Sequence, residues 1–177
     1  MKLRNFKAYE FVDKATYELH GEKCLQMFDR EMLLFIDGFH TQLQEDLGGK
    51  ISIIINDWQW GGRFQWRGIR NIHYYTDQLA KKLKRKPTSE EALEFFEQSR
   101  SQHKYCRALD FDVYQDGVRI SPDAIRKTII DYRTEHLITF IEDKVNWCHI
   151  DMRCTDDDLL VLYNIYNNTS VTYPRKN

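Results

Sequence analysis

The sequence predicts an α+β fold, in which helices pack on one side of a small antiparallel sheet. Apolar residues recur at helical spacing between Glu22 and Leu47. Several short segments further along are β-branched or alternate between apolar and polar residues. The 177 residues include only three prolines and eight glycines, which favours a single domain, residues 1–177, without long flexible linkers.

Four segments are predicted to be helical, each with a start or stop signal or a helical pattern. They are residues 22–47, 73–86, 88–100 and 121–134. Gly48-Gly49 is typical of a helix C-terminus. Ser89 followed by Glu90 and Glu91 is typical of a capped first turn, and Ser121-Pro122 places serine at the cap and proline at the first helical position.

Four segments are predicted to be strands. They are residues 50–56, 107–114, 137–142 and 146–153. Asp116-Gly117 and residues 143–145 are predicted turns. The apolar run 159–166 fits either a helix or a strand, and the acidic run 156–158 before it favours a helical first turn. The polar tail from Asn167 is expected to be loose.

Composition argues against two classes of protein. The formal net charge of -1 is unfavourable for nucleic-acid binding, and the basic run 81–86 is interpreted as a solvated helix end. None of the four cysteines forms a C-x-x-C pair, which argues against a thiolate zinc finger, and we expect reduced thiols. They are Cys24, Cys106, Cys148 and Cys154.

No stretch reaches the roughly 18 apolar residues that a membrane span needs. The N-terminal residues 1–14 include basic side chains but no apolar block after them. We therefore expect a protein made in the cytoplasm without a signal peptide, which something else would deliver to a substrate outside a membrane.

Three residues form a candidate metal site: His103, Asp110 and His149. Catalytic zinc typically takes three protein ligands from imidazole nitrogens and carboxylate oxygens, and keeps a fourth position for water. His149, Asp151 and Arg153 share one face of a predicted strand, so Asp151 is a candidate for orienting a ligand. Six histidines and 27 acidic residues offer many other triples, so spacing alone does not single this one out.

Two motifs and a turn resemble a known family. Residues 101–110, S-Q-H-K-Y-C-R-A-L-D, resemble the S-x-H-x-x-G-x-A-x-D signature of the zinc peptidases that include D-alanyl-D-alanine carboxypeptidases, D,D-dipeptidases and phage L-alanyl-D-glutamate endolysins. Residues 147–151, W-C-H-I-D, are similar to the family's W-x-H-x-D segment, and residues 67–70, R-G-I-R, to its S-G-x-R turn. The resemblance spans about 30–153 and leaves 154–177 as a C-terminal extension.

The resemblance implies Zn²⁺ bound by His103, Asp110 and His149. It also implies that Arg70 holds a substrate carboxylate or carbonyl and that Ser101 contacts the substrate backbone, although a structural ion pair and a local turn bond are the respective alternatives. The implied substrate is a peptidoglycan stem peptide, cut by a D,D-carboxypeptidase or an L,D-endopeptidase. A phage-encoded enzyme that acts on the cell wall after release, or as part of a particle with virion partners, fits this family.

Three positions depart from the family pattern. Cys106 replaces a glycine, which would strain the backbone if φ is positive there. Arg67 replaces the serine of the turn, and Asn146 replaces the general-base glutamate. The expected base is instead Glu142 at the end of the preceding strand, and Asp143 in the turn is a poorer candidate.

These departures keep other functions open. A catalytically inactive zinc-binding structural or interaction protein, associated with a virion, is the main alternative. A magnesium-dependent nuclease is a poorer one, because two imidazoles do not suit Mg²⁺. Four aromatic residues before Arg70 either line a glycan-peptide groove or pack under a loop. They are Trp58, Trp60, Phe64 and Trp66.

Overall fold

The computed structural model describes residues 2–132, 138–155 and 159–174. These residues form five α-helices and a seven-stranded sheet, which confirms the α+β prediction. The helices are α1 (Lys14–His20), α2 (Arg30–Leu47), α3 (Ile72–Leu83), α4 (Ser89–Gln98) and α5 (Pro122–Asp131). The strands are β1 (Ile51–Ile54), β2 (Ala108–Gln115), β3 (Val118–Arg119), β4 (Phe140–Asp143), β5 (Cys148–Asp151), β6 (Leu160–Asn164) and β7 (Thr169–Tyr173).

The strands form one open, mixed sheet. Its order is β1-β2-β5-β4-β6-β7, and β3 pairs with β2. Most neighbours are antiparallel, but β4 and β6 run parallel, with Phe140 paired to Val161. The prediction of a purely antiparallel sheet is therefore wrong. Because β5 occupies one edge of β4, the chain crosses back to the other edge and pairs there in the direction of β4.

The segment predicted as one helix over 22–47 is divided in two. A 3-10 turn spans Gly21–Met27, and Phe28 is extended, with its ring 5.6 Å from that of Phe11. The side chain of Asp29 then accepts a hydrogen bond from the backbone N–H of Glu31 and caps α2. Burial of Phe28 and this cap outweigh the helical periodicity of the segment.

One face of α2 supplies much of the core beside the sheet. Its buried side chains are Met32, Leu33, Phe35, Ile36, Phe39 and Leu43. They belong to one apolar cluster with buried side chains of β1, β2 and β5. Removing a large apolar side chain of this kind from water stabilises the fold by about 1.5–3 kcal/mol, so the sheet is held firmly where it carries the candidate site.

The C-terminal region differs from the prediction. Residues 160–164, left open between helix and strand, form β6, and the tail expected to be loose forms β7 over 169–173. The two strands pair antiparallel, with Leu162 opposite Val171. Alternating threonine, valine and tyrosine residues favour a strand once β6 offers a partner, which a prediction from local polarity cannot show.

Some predicted features fall outside the described residues. These are the helix end near Thr134, the strand start at Leu137 and the acidic run 156–158. Within the described residues, no helix combines the length and the apolar character that crossing a membrane requires.

Helix α4 begins one residue away from its predicted cap. The cap is Thr88, whose hydroxyl accepts from the backbone N–H of Glu91 at 3.2 Å, while the Glu91 carboxylate accepts from the backbone N–H of Thr88 at 2.8 Å. Glu91 also accepts two hydrogen bonds from the guanidinium of Arg85. These hydrogen bonds, that from Arg85 first, lower the pKa of Glu91 to about 2.

We expect Glu91→Gln to lower the melting temperature at neutral pH, because it removes a carboxylate that is bound as an anion. A pKa that folding lowers contributes stability above its unfolded value, near 4.3, and that contribution is lost as the pH falls toward 2. Thermal melts of wild type and variant should therefore converge over that range. Glu90→Gln in the same turn is the control; an equal effect there at every pH would contradict this account.

Candidate metal centre

Three buried side chains meet where β2 and β5 pair. His103 lies in a 3-10 turn (Gln102–Tyr105) just before β2, Asp110 lies on β2 and His149 on β5. Asp110 and His149 are directly opposite in the strand register. One ligand atom from each of the three residues lies within 4.8 Å of the others. This group can therefore bind a metal ion.

His103 presents a free nitrogen to this group. Its Nδ1 lies 2.7 Å from the backbone carbonyl of Gly68, to which it donates as N–H. Its Nε2 is buried, has no hydrogen-bond partner among the described residues, and lies 3.3 Å from Oδ2 of Asp110. Burial lowers the pKa of His103, and Asp110 opposes that shift. In the neutral ring that donates from Nδ1, Nε2 carries the lone pair.

His149 lies between two carboxylates. Its Nδ1 is 2.7 Å from Oδ1 of Asp110, and its Nε2 is 3.2 Å from Oδ2 of Asp151. Burial disfavours the charged imidazole, but hydrogen bonds to Asp110 and Asp151 outweigh burial and raise the pKa of His149 to about 10. The carboxylates of Asp110 and Asp151 favour a positive charge on His149. A metal ion at Nδ1 can supply that charge in place of a proton.

The Asp110 carboxylate is held as an anion in spite of its burial. Burial opposes ionisation, but His103 and His149 lower the pKa of Asp110 well below its ordinary value. Its Oδ2 also accepts from Nη2 of Arg70 at 2.5 Å.

Asp151 orients His149 from behind. It is fully buried, and its Oδ1 accepts from the backbone N–H of Arg153 at 3.0 Å and from Nε of Arg153 at 2.9 Å. The Arg153 guanidinium also stacks on the ring of Phe140 at 3.4 Å. With Nε2–H of His149 donated to Asp151, Nδ1 remains for a metal, as in other sites where a carboxylate fixes the imidazole tautomer.

The donor set fits zinc. Zinc in proteins binds imidazole nitrogen and carboxylate oxygen at about 2.0–2.2 Å with tetrahedral geometry, which separates ligand atoms by roughly 3.3–3.5 Å. The distance of 3.3 Å between His103 Nε2 and Asp110 Oδ2 agrees with that separation, whereas the 2.7 Å between His149 Nδ1 and Asp110 Oδ1 is that of a hydrogen bond. The buried Nε2 of His103 has no hydrogen-bond partner among the described residues. Because buried polar atoms are usually paired, this nitrogen is available as a metal ligand.

A cleft of about 320 Å³ opens above the three residues. Besides them it is lined by Arg70, Ser101, Gln102, Glu142, Trp147, Arg153 and Ile165. The half-buried Glu142 carboxylate has no hydrogen-bond partner among the described residues, and its charge acts on His149. The Trp147 indole N–H is buried and likewise has no partner there. The cleft therefore brings a carboxylate beside the metal group.

Arg70 is both an ion-pair partner and a cleft residue. Its Nη2 binds Asp110, its Nε donates to the carbonyl of Trp66 at 3.0 Å, and its guanidinium lies 5.1 Å from the Tyr74 ring centre. Its Nη1 has no hydrogen-bond partner among the described residues. The ion pair that the sequence left as an alternative is present, and one edge of the guanidinium remains for another acceptor.

The turn at 67–70 owes its shape to Gly68. A Cβ on Gly68 would lie 1.9 Å from the backbone carbonyl oxygen of Phe11, which accepts a hydrogen bond from the N–H of Ile69. The turn packs directly on this segment, and the Gly68 carbonyl holds His103. Glycine is needed here for close backbone approach.

Cys106 has the positive φ that its motif position suggested. Its φ of 55° lies in the left-handed region, which costs a non-glycine residue about 1–2 kcal/mol. The thiol is buried, and burial raises its pKa to about 11. Cys106 is therefore a packed, protonated thiol, and it is not part of the metal group.

The four aromatic residues before Arg70 do not line the cleft as the structure describes it. Trp58 donates from Nε1 to the carbonyl of Val12 at 2.7 Å, and the Trp66 ring lies 5.8 Å from Tyr74. Trp60 remains 61% exposed against Tyr9. Most of this segment packs as a loop over the N-terminal residues.

Sequence reasoning missed two arginines that hold the segment between Glu142 and His149. Arg126 on α5 is 3% exposed and donates to backbone carbonyls of that segment. Arg119 on β3 binds the side chain of Asn146 at 2.9 Å. Neither has a sequence signal, because an arginine on a short helix or in a hairpin usually faces water.

Gly68→Ala should lower the free energy of unfolding by about 1–3 kcal/mol, because the new methyl group overlaps backbone that cannot turn aside. Gly38→Ala is the matched control. Its Cβ meets nothing within 4 Å, and it should raise stability by about 0.5–1 kcal/mol in the middle of α2. Urea unfolding measures both changes; equal effects of the two would refute the close-approach explanation.

No family model, curated protein or solved structure matches this chain.

Proposed function

We propose that this protein is a zinc-dependent peptidase that hydrolyses a peptide bond in bacterial cell-wall peptidoglycan. The observation that supports it most is Nε2 of His103, a buried lone pair without a partner, 3.3 Å from a buried carboxylate at the floor of a cleft. Two imidazole nitrogens and one carboxylate favour zinc over magnesium, which prefers oxygen ligands and several waters.

Zinc held by His103, Asp110 and His149 would supply Lewis acidity, which would activate water and polarise a carbonyl. Hydrolysis of an amide also needs a group that takes a proton from water and returns it to the leaving amine. Glu142 suits that task, because its carboxylate lines the cleft without a hydrogen-bond partner among the described residues. Asp143 is less suitable, since its carboxylate lies 3.7 Å from Lys144 in the turn.

The remaining cleft residues suit a peptide substrate. Arg70 and Arg153 each keep an Nη1 edge without a hydrogen-bond partner among the described residues, and guanidinium edges bind carboxylates and carbonyls well. The Ser101 hydroxyl adds a short-range donor. These groups would hold and orient the peptide while Glu142 transfers the proton.

The cell-wall substrate comes from the motif resemblance described above. By that analogy the enzyme would cut a stem peptide as a D,D-carboxypeptidase or an L,D-endopeptidase. It would be phage-encoded and would act after release or within a particle.

A catalytically inactive zinc protein with a structural or virion role is the second candidate. The amide of Asn146 supports it, because it stands where the resembling family has a carboxylate and is tied to Arg119. Such a protein would bind zinc and cleave no peptide, so the two candidates separate in the turnover experiment below.

Zinc should bind with a stoichiometry of one ion per chain and stabilise the folded protein, by about 2.7 kcal/mol at a free concentration 100 times the Kd. Asp110→Asn and His103→Ala should abolish the shift in melting temperature, because each removes one ligand. His73→Ala, at an exposed histidine, is the control. Elemental analysis and thermal melts with and without chelator measure this. Undiminished zinc binding by both ligand variants would exclude the site.

Glu142→Gln should keep zinc binding and lower turnover of purified peptidoglycan by about 10²–10⁴-fold, the usual contribution of general acid–base catalysis. Asp143→Asn, at the adjacent carboxylate, should retain turnover. Release of amino groups from the wall measures both variants. Turnover that survives in Glu142→Gln would exclude this base, whereas a zinc-loaded wild type that releases nothing would favour the inactive candidate.

A further inference from the structure

The side chain of Asn146 has a definite partner. Its Oδ1 accepts from Nη1 of Arg119 at 2.9 Å, and its backbone carbonyl accepts from Nη2 of the same guanidinium. One arginine thus holds both the side chain and the main chain of this residue.

Arg119 is itself anchored on a buried carboxylate. Its Nε donates to Oδ1 of Asp112 at 3.0 Å, and Asp112 is only 5% exposed. The other oxygen, Oδ2, accepts from Nη1 of Arg67 at 2.7 Å. The Cζ atom of Arg67 lies over the Phe64 ring, 3.5 Å from its centre. Arg67, Asp112, Arg119 and Asn146 therefore form one continuous chain of hydrogen bonds.

This chain runs beside the metal group. Asp112 lies two residues after Asp110 on β2, so both carboxylates share a face of the strand. The carbonyl of Arg67 accepts from the backbone N–H of Asp110 at 2.7 Å. Arg67 and Asn146, two positions at which the sequence departs from the resembling family, thus belong to the same network.

A second guanidinium holds the other side of the segment. Arg126 donates to the carbonyl of Glu142 at 2.8 Å, to that of Trp147 at 3.3 Å and to that of Val145. The connection between β4 and β5 is thus fixed from β3 and from α5. Glu142 lies near the end of β4 before this connection, and His149 lies near the start of β5 after it.

We propose that Arg67, Asp112, Arg119 and Asn146 form a positioning network that fixes the β4–β5 connection and thereby sets Glu142 against the metal group. Asn146 attaches this connection to Arg119, and Glu142 supplies the proton-accepting carboxylate. The inference rests on the peptidase function proposed above. The four residues are positioning residues, since they act through Glu142 and have no contact with substrate assigned to them.

The first experiment compares acceptor and non-acceptor at position 146. Asn146→Leu should lower kcat by about tenfold to a hundredfold through misplacement of the base, with KM and zinc affinity unchanged. Asn146→Asp, which restores an acceptor for Arg119, should recover most of that loss. Arg119→Met should behave like Asn146→Leu, and Arg30→Met, on the exposed start of α2, is the control. Equal loss of kcat, zinc affinity and melting temperature would mean a merely structural role.

The second experiment asks whether position 146 can itself supply the base. Asn146→Asp is introduced into the Glu142→Gln background and assayed on purified peptidoglycan. A positioning role predicts that turnover stays as low as in Glu142→Gln. Recovered turnover would overturn the proposal, because a carboxylate at 146 would then act directly.

Amide hydrogen exchange keeps the network testable without turnover. In the zinc-loaded protein, Arg119→Met should speed exchange at residues 143–147 by about tenfold or more, corresponding to a loss of about 1.4 kcal/mol of local protection, while exchange in α2 stays unchanged. Unchanged exchange at 143–147 would overturn the network. A wild type that binds zinc but cleaves nothing would contradict only the peptidase proposal. Hydrogen exchange would still test whether Arg119 restrains residues 143–147.

Discussion

The pairing register of β2 and β5 is the constraint on which the candidate site depends. It places Asp110 opposite His149, and it also places Ala108 opposite Asp151. A slip by one residue would turn every side chain of one strand to the other face. The buried apolar residues that alternate with the ligands, such as Leu109 and Ile150, prevent that slip because they belong to the core. Core packing and metal-site geometry are thus fixed by the same pairing.

Charge balance explains how so many ionisable groups lie in one place. Asp110, Asp112 and Asp151 are each at most 5% exposed, and each accepts from at least one guanidinium. Unpaired burial of a carboxylate costs several kcal/mol, so these arginines are a condition of the arrangement. Within the group of His103, Asp110 and His149, the Nε2 of His103 has no hydrogen-bond partner among the described residues, so a cation would be held at this point between the ligands.

The sequence predicts four of the five described helices, most strands and the residues that meet in the ligand group, because periodicity, caps and motif spacing are local signals. Helix α1 was not predicted. The sequence also does not predict the parallel contact of β4 with β6, since pairing between distant segments leaves no local pattern. Thr169 to Tyr173 look like a polar tail until β6 provides a partner. The supporting arginines are hidden for a similar reason: Arg126 is buried by carbonyls that converge on it only in the folded chain.

The contact between Gly68 and Phe11 has a consequence for the extent of the working unit. The motif resemblance begins near residue 30, yet carbonyls of residues 10–12 accept hydrogen bonds from Asn56, Trp58 and Ile69. Residues 10–12 therefore support the turn whose Gly68 carbonyl binds His103. A fragment that begins at the recognisable motifs would contain all three ligand residues. It would lack the N-terminal segment that supports the turn beside His103.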